Sequence, residues 1–110
     1  MEFEIILAPA AAGTLKNLSV PVRKGVVRAI DLHLTHEPTK VSKSRIKRLQ
    51  GLSQPQYRLR VGEIRVFYDL TETQVQVLAV VTKAEAQSWL DEQGTPAKKS
   101  ERGGTGPNEG

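Results

Sequence analysis

The sequence lacks cysteine, has few aromatic residues and contains no long apolar run. Among 110 residues there is no cysteine, and aromatic residues make up 5%. The chain therefore has no disulfide framework and no thiolate ligand for a metal. No stretch approaches the roughly 20 apolar residues that a membrane-spanning helix needs. Acidic Glu2 and Glu4 stand where a signal peptide would be basic, so we expect a cytoplasmic protein.

Positive charge is concentrated in one part of the chain. The net charge is +4 overall, whereas residues 40–65 hold eight Lys or Arg against Glu63 alone, a local net charge of +7. Such a patch predicts a polyanionic partner, with nucleic acid the first choice. A membrane surface would attract the same charge, but the sequence contains no amphipathic anchor helix with Trp or Phe.

Two alternating runs of apolar and polar residues surround the pair Gly62-Glu63. The stretch QYRLRVGEIRVFYD, residues 56–69, therefore predicts a β-hairpin with a two-residue turn. Gly62 can adopt the positive φ that a type II′ turn requires at its first central position. This turn sets the register, which pairs Val61 with Ile64, Arg60 with Arg65, Leu59 with Val66 and Tyr57 with Tyr68.

The predicted register places Arg58, Arg60 and Arg65 together on one face of the hairpin. Because like charges directly opposite one another destabilise a sheet, the arrangement favours a bound anion between them. The alternative interpretation is a solvated outer face, since arginine is common on exposed strands. The opposite face, which includes Tyr68, is aliphatic and aromatic and is expected to lie on the core.

The other segments predict an α+β fold with the order β-α-α-β-β-β-α. A strand over residues 3–7 precedes a helix over 10–18 and a second helix that starts near Pro21, with Ser19 a candidate N-cap. An apolar residue recurs every fourth position of the second helix, which predicts that this stripe faces the core. Its members are Val22, Val26, Ile30 and Leu34.

The C-terminal half predicts a small, antiparallel-rich sheet. After the hairpin comes an apolar strand over 74–81 and then a helix over 83–93, where Thr82 and Glu85 have the spacing of a capping box and Gly94 ends the helix. We expect the last three strands to form an antiparallel meander, with the first strand at one edge, the helix pair on one face and the C-terminal helix following.

The chain divides into a domain, residues 1–93, and a tail, residues 94–110. The tail is rich in Gly, Pro and charge, and this composition predicts disorder. Residues 40–50, KVSKSRIKRLQ, are expected to form an extended arm with a helical turn. The arm directly precedes the hairpin, which favours a shared phosphate-binding surface over a solvated loop. Its candidate cations are Lys43, Arg45, Lys47 and Arg48.

His33 and His36 lie on or just past the second helix. No carboxylate-rich set of ligands surrounds them, so packing or surface roles are favoured over a metal site. The sequence predicts no metal and no cofactor.

The segment LQGLSQPQYRLRVGEIRVFYDL followed by VQVLAVVTKAE, in this order of elements, resembles the RelE/ParE superfamily of type II toxin–antitoxin toxins. The likeness covers almost all of residues 1–93. It depends on a Gly-Leu pair, a Tyr-Arg-x-Arg strand, the Gly turn and Ile-Arg-x-x-Tyr. RelE enzymes enter the ribosomal A site and cleave mRNA by attack of a 2′-hydroxyl on the adjacent phosphodiester. The resemblance therefore implies a ribosome-dependent mRNA interferase that inhibits translation.

The resemblance also implies roles for particular residues. Arg58, Arg60 and Arg65 correspond to basic residues on the family's second and third strands. Fixed guanidinium donors would stabilise the dianionic phosphorane of this reaction. By the same resemblance, the cations of the 40–50 segment would contact phosphate groups of the RNA backbone.

The sequence departs from the RelE pattern after the last strand. RelE enzymes carry an arginine and a tyrosine there, where Ala84 and Leu90 stand in this chain. Lys83 is the nearest cation and becomes the candidate acid or electrostatic helper. Two alternatives stay open: a ParE-like inhibitor of DNA gyrase without catalysis, and a degenerate module that only binds an antitoxin. Each toxin hypothesis implies an antitoxin partner, by resemblance of the Phd/YefM type, which would fold on binding.

Overall fold

The computed structural model describes residues 2–97 of the chain. It confirms the predicted α+β fold and the order β-α-α-β-β-β-α, and it adds three short strands. In chain order the elements are β1 (Glu4–Leu7), α1 (Pro9–Asn17), α2 (Val20–Leu34), β2 (Ile46–Arg48), β3 (Leu52–Gln54), β4 (Tyr57–Val61), β5 (Ile64–Leu70), β6 (Gln74–Thr82), α3 (Lys83–Gln93) and β7 (Thr95–Pro96).

A five-stranded sheet in the order β1-β6-β5-β4-β2 forms the centre of the domain. Strands β4, β5 and β6 make the predicted antiparallel meander, and β1 joins one edge parallel to β6. The helical turn predicted within residues 40–50 is wrong, because β2 pairs antiparallel with β4 at the other edge. The one core residue of β2, Ile46, is buried opposite Leu59. A single apolar residue produces no alternating pattern in the sequence, so the pattern does not predict this strand.

Helices α1 and α2 cover one face of the sheet and enclose the core. Three of the four residues in the predicted apolar stripe of α2 are buried there, whereas Val22 is 43% exposed. Val22 instead lines an open groove beside the hairpin turn. Ser19 occupies the N-cap position of α2, but its side chain makes no capping hydrogen bond.

Helix α3 packs against the opposite face of the sheet. The Trp89 ring stacks on Phe67 of β5 with ring centroids 5.1 Å apart. The predicted capping box is confirmed: the Glu85 amide donates to Thr82 Oγ1, and the Glu85 side chain accepts from the Thr82 amide. Gly94 ends the helix, and a Cβ there would lie 2.5 Å from the carbonyl oxygen of Leu90. Steric space, and not a positive φ, therefore requires glycine at this position.

The fold extends past residue 93, after which the sequence predicts the tail. Thr95–Pro96 forms β7, which pairs antiparallel with β3 in a second, two-stranded sheet. The rest of the predicted disordered tail, residues 98–110, lies outside the described residues. The helices within residues 2–97 fall short of the length and apolar character that crossing a bilayer takes.

Buried Asp69 fixes the loop that leads into β4. Its two carboxylate oxygens accept hydrogen bonds from Gln54 Nε2 at 2.6 Å and from the Gln56 amide at 2.7 Å. We expect Asp69→Ala to lower the free energy of unfolding by about 2–3 kcal/mol, because hydrogen bonds to a buried charged group are lost. Urea denaturation measures the change, with Glu72→Ala as the exposed-carboxylate control. Equal midpoints for the two variants would contradict this role.

Candidate functional site

The structure confirms the predicted hairpin register. Strand β4 pairs with β5 so that Arg60 lies opposite Arg65 and Leu59 opposite Val66. Gly62 has φ +59°, the left-handed conformation that glycine adopts without strain. The turn residues thus hold the two arginine-bearing strands in a fixed alignment.

Three arginines and a lysine share the sheet face that α3 covers in part. Arg58 pairs with Lys47 of β2 on one side and with Phe67 of β5 on the other, and directly paired residues project from the same face of a sheet. We call the surface formed by Lys47, Arg58, Arg60 and Arg65 the arginine face.

Arg58 is the most unusual member of the arginine face. It is half-buried, and its Nε is inaccessible to solvent with no hydrogen-bond partner. Burial lowers the pKa of Arg58, and the charges of Arg65 and Arg60 lower it further. A buried N–H without an acceptor is costly, so Arg58 is held at an energetic cost beside the other two arginines of the face.

Arg65 and Arg60 differ in how free their side chains are. Arg65 is only 7% exposed, and its Nη1 donates to the carbonyl oxygens of Gly62 at 2.8 Å and Ile64 at 3.1 Å. Arg65 therefore braces the turn with one of its nitrogens. Arg60 is exposed, so its whole guanidinium group can reach a ligand.

No carboxylate forms an ion pair with the arginine face within residues 2–97. The ion pair found in this part of the chain joins Lys40 to Glu37, 3.7 Å apart and elsewhere on the surface. Clustered guanidinium groups without counter-charges produce a strongly positive potential. The face can accordingly bind the oxygens of a phosphate group through bidentate arginine contacts.

Lys83 lies at the turn end of the arginine face. It is exposed, and its backbone amide donates to the Glu63 carbonyl at 2.7 Å, which fixes the start of α3 beside the hairpin turn. Thr82, the preceding residue, pairs with Ile64. The structure thus brings Lys83 next to the strands that carry the arginines.

The other cations of the 40–50 segment do not all join the arginine face. Arg48 is paired with Tyr57, stacks over its ring at 5.1 Å and donates to the Gln56 carbonyl at 2.9 Å. Arg45 lines a cavity beside His33 on α2. Lys43 is exposed in a bend. Strand alternation brings only Lys47 to the arginines, because residues 43–45 precede the strand.

Solved structures of RelE proteins share this architecture. A chain of the RelE–RelB complex from Pyrococcus horikoshii OT3 matches with a TM-score of 0.62 and 21% identity, over 76% of this chain and 97% of that one. Free Escherichia coli RelE, a double arginine-to-alanine mutant, matches with a TM-score of 0.62 and 20% identity, over 84% of this chain and 94% of that one. A chain of the RelBE2 complex of Mycobacterium tuberculosis matches with a TM-score of 0.57 and 24% identity, over 74% of this chain and 99% of that one. The chain has the RelE fold. No protein-family model matches it, and no curated protein matches its sequence.

Within this RelE fold, the position of Tyr68 agrees with the sequence prediction. Its side chain is fully buried on the sheet face that α1 and α2 cover, stacks on Tyr57, and donates a hydrogen bond to the Pro38 carbonyl. Burial, with a smaller effect of Tyr57, raises the pKa of Tyr68. The phenol is a core group and lies away from the arginine face.

A groove of about 360 Å³ lies next to the arginine face of this RelE fold, between α3 and strands β2 and β3. Lys47 lines it together with Leu90, Gln87 and Asp91. Sequence reasoning missed Gln87 and Asp91, because nothing in the helical pattern of α3 shows which residues turn toward β2. Ala84, the other departure from the RelE pattern, is exposed in the first turn of α3.

Proposed function

We propose that the chain is the toxin of a type II toxin–antitoxin pair and cleaves mRNA on the ribosome. The observation that carries the proposal is the arginine face, which lacks a carboxylate partner within residues 2–97 and includes the partnerless Nε of Arg58. The RelE fold supports the proposal, because the solved RelE proteins are described as toxins and as partners in toxin–antitoxin complexes.

The proposed chemistry needs cations more than it needs a histidine. The 2′-hydroxyl of one nucleotide attacks the adjacent phosphorus, the 5′-oxygen of the next nucleotide leaves, and a 2′,3′-cyclic phosphate remains. Charge builds up on the phosphorane oxygens, where Arg60 and the free nitrogens of Arg65 would donate hydrogen bonds, assisted by Arg58. Lys83 would supply the proton that the leaving oxygen takes up, and water would accept the proton that the attacking 2′-hydroxyl releases. Lys47 and Lys43 would contact neighbouring phosphates.

An antitoxin is the second proposed partner. Three of the matching structures are complexes of RelE with RelB, and the positive charge of this chain suits an acidic partner of the Phd/YefM kind. A disordered antitoxin segment would fold as it binds.

Induced expression in a bacterial host tests the proposed function. We expect growth arrest within the induction period, with messengers cut inside translated regions and ends that map to the ribosomal A site. Parallel sequencing of mRNA ends and an SOS reporter measure the outcome. Intact messengers during growth arrest would contradict the proposal.

Inhibition of DNA gyrase is the second candidate function. Ala84 and Leu90 replace the RelE arginine and tyrosine, and α2 exposes apolar side chains that a protein target could cover, among them Val20 at 51% and Leu32 at 67%. An induced SOS response without RNA cleavage would select this function. Normal growth after induction would instead select the antitoxin-binding module without toxicity.

A further inference from the structure

The groove beside the arginine face has an apolar part and a polar part. It lies between α3 and strands β2 and β3, and its volume of about 360 Å³ falls in the range of roughly 300–1,000 Å³ that small-ligand sites have. We call it the α3 groove. Its lining includes the half-buried Leu49, Leu52 and Leu90 and the exposed Lys47, Gln87 and Asp91. The apolar side chains therefore form its deeper part, and the polar ones form its rim.

The rim carries two opposite charges that do not pair with each other. Within residues 2–97, neither Lys47 nor Asp91 forms an ion pair. Gln87, one helical turn before Asp91, donates from Nε2 to Asp91 Oδ1 at 3.0 Å, and this bond orients the carboxylate. Gln50 completes the polar lining and is uncharged. The α3 groove thus offers a carboxylate acceptor and a separate ammonium donor to one ligand.

Lys47 connects the α3 groove to the arginine face. It lies opposite Arg58 on the neighbouring strand, and Arg58 is two residues, or roughly 7 Å, from Arg60 along β4. A ligand that the arginines hold therefore reaches the groove. Because the Asp91 carboxylate repels a phosphate group, the part of the ligand that enters is uncharged. A nucleotide has this composition, since its anionic phosphate is linked to a neutral, flat base that forms hydrogen bonds along its edge.

The charges of the rim favour guanine among the four bases. The Watson–Crick edge of guanine presents the O6 acceptor followed by the N1–H and N2–H donors. Two adjacent N–H groups suit the two oxygens of one carboxylate, and an ammonium group suits O6. Adenine and cytosine have one amino group beside an acceptor nitrogen, and uracil has one N–H between two carbonyls. Each of these three bases places a lone pair against the carboxylate, and such a mismatch discriminates against it.

We propose that the α3 groove binds a guanine base of the mRNA beside the cleaved phosphate, with Asp91 accepting from N1–H and N2–H and Lys47 donating to O6. Leu90 packs against the face of the ring, as apolar side chains do in base-binding pockets. Gln87 is a positioning residue that holds the Asp91 carboxylate. The Lys47 ammonium has three donors, so it contacts a phosphate as well. This inference rests on the proposed function for its ligand, mRNA, and adds a base preference to it.

Amide chemical shifts of the ¹⁵N-labelled full chain, titrated with mononucleotides, test the base preference. The probes are the 5′-monophosphates of guanosine, adenosine, cytidine, uridine and inosine, together with inorganic phosphate. GMP is expected to shift the amides of Gln87, Leu90 and Asp91 and to bind about tenfold more tightly than AMP, CMP or UMP. IMP, which lacks the 2-amino group, is expected to bind about fivefold more weakly than GMP. Inorganic phosphate is expected to shift amides of β4 and to leave those of α3 unmoved.

Asp91→Asn tests the carboxylate by itself. Asparagine keeps the size of the side chain but replaces one acceptor by an NH2 donor. The ratio of GMP affinity to AMP affinity is therefore expected to fall about tenfold, and GMP and IMP are expected to bind equally. Glu92→Gln is the matched control, because Glu92 is the next residue of α3, is exposed and does not line the groove. This control removes the same charge and is expected to keep the wild-type ratio.

Two results of the titration would overturn the inference. In one, the four standard nucleotides bind equally or leave the α3 amides unmoved, so that no base enters the groove. In the other, Asp91→Asn changes the affinity for every nucleotide by the same factor, which would make the effect of Asp91 one of charge alone.

The inference and the proposed function fail by different observations. Selective binding of GMP by a chain that leaves mRNA intact would uphold the guanine site while the proposed cleavage failed. Cut sites in induced cells that show no enrichment of guanine, or the same enrichment for Asp91→Asn as for wild type, would overturn the guanine site and leave the proposed function standing.

Discussion

Replacing Arg60 by alanine is expected to lower the rate of mRNA cleavage about 100-fold or more, since removal of one fixed donor to a developing oxyanion typically costs that much. Arg60 is exposed on β4, opposite Arg65, and its side chain makes no hydrogen bond within residues 2–97. The Arg60 backbone amide donates a hydrogen bond to the Arg45 carbonyl, and the substitution leaves this bond in place. The loss should therefore fall on catalysis and leave the fold intact.

Arg60 is a better test of the arginine face than Arg65. Removing the Arg65 side chain would also remove both of its hydrogen bonds to the turn, so a loss of activity would have two explanations. The matched control is Arg28→Ala, an exposed arginine on α2. Single-turnover cleavage of ribosome-bound mRNA measures both variants. Equal rates for Arg60→Ala and wild type would remove the arginine face from the reaction.

Tyr68→Ala is expected to lower the free energy of unfolding by about 3–5 kcal/mol, as large-to-small substitutions of buried aromatic residues do. The ring is fully buried, stacks on Tyr57 with centroids 5.5 Å apart and bonds to the Pro38 carbonyl. Domains of this size have a total stability of about 5–15 kcal/mol, so the variant should be close to unfolding. Thermal and urea denaturation measure the change.

Tyr68→Phe separates the hydroxyl from the ring. It keeps the packing and leaves the Pro38 carbonyl without its donor, at an expected cost of about 1–3 kcal/mol. The folded chain raises the pKa of Tyr68 above its unfolded value, which is about 10. The neutral phenol therefore makes its full contribution to the free energy of unfolding below pH about 10, and this contribution is lost as the pH rises toward the pKa of the folded state. Wild type should lose stability above pH about 10 more steeply than Tyr68→Phe, and parallel pH profiles would contradict this.

The parts of the fold that follow from local chemistry could be read from the sequence. A glycine that begins a two-residue turn fixes the pairing of every residue in the hairpin, so the alignment of Arg60 with Arg65 was predictable. The start of α3 was predictable for the same reason, because the spacing of Thr82 and Glu85 is sufficient for reciprocal capping.

Features that depend on distant contacts could not be read in this way. Strand β2 is three residues long and exists through its pairing with β4. Arg45 directly precedes that strand, where alternation does not specify a face. The bonds of Arg65 to the turn carbonyls depend on its rotamer. Strand β7 requires β3, and composition alone assigned its residues to a tail.

The most direct test of the central claim is to follow the arginine Nε–H signals of the ¹⁵N-labelled chain during titration with a 2′-O-methyl RNA that cannot be cleaved. If phosphate binds the arginine face, the Nε–H signals of Arg58, Arg60 and Arg65 shift together, and that of Arg60 moves most because its exposed guanidinium group can contact the ligand directly. Addition of salt should reverse the shifts, since phosphate contacts release counterions. Saturating RNA that leaves these three signals unmoved would contradict the account.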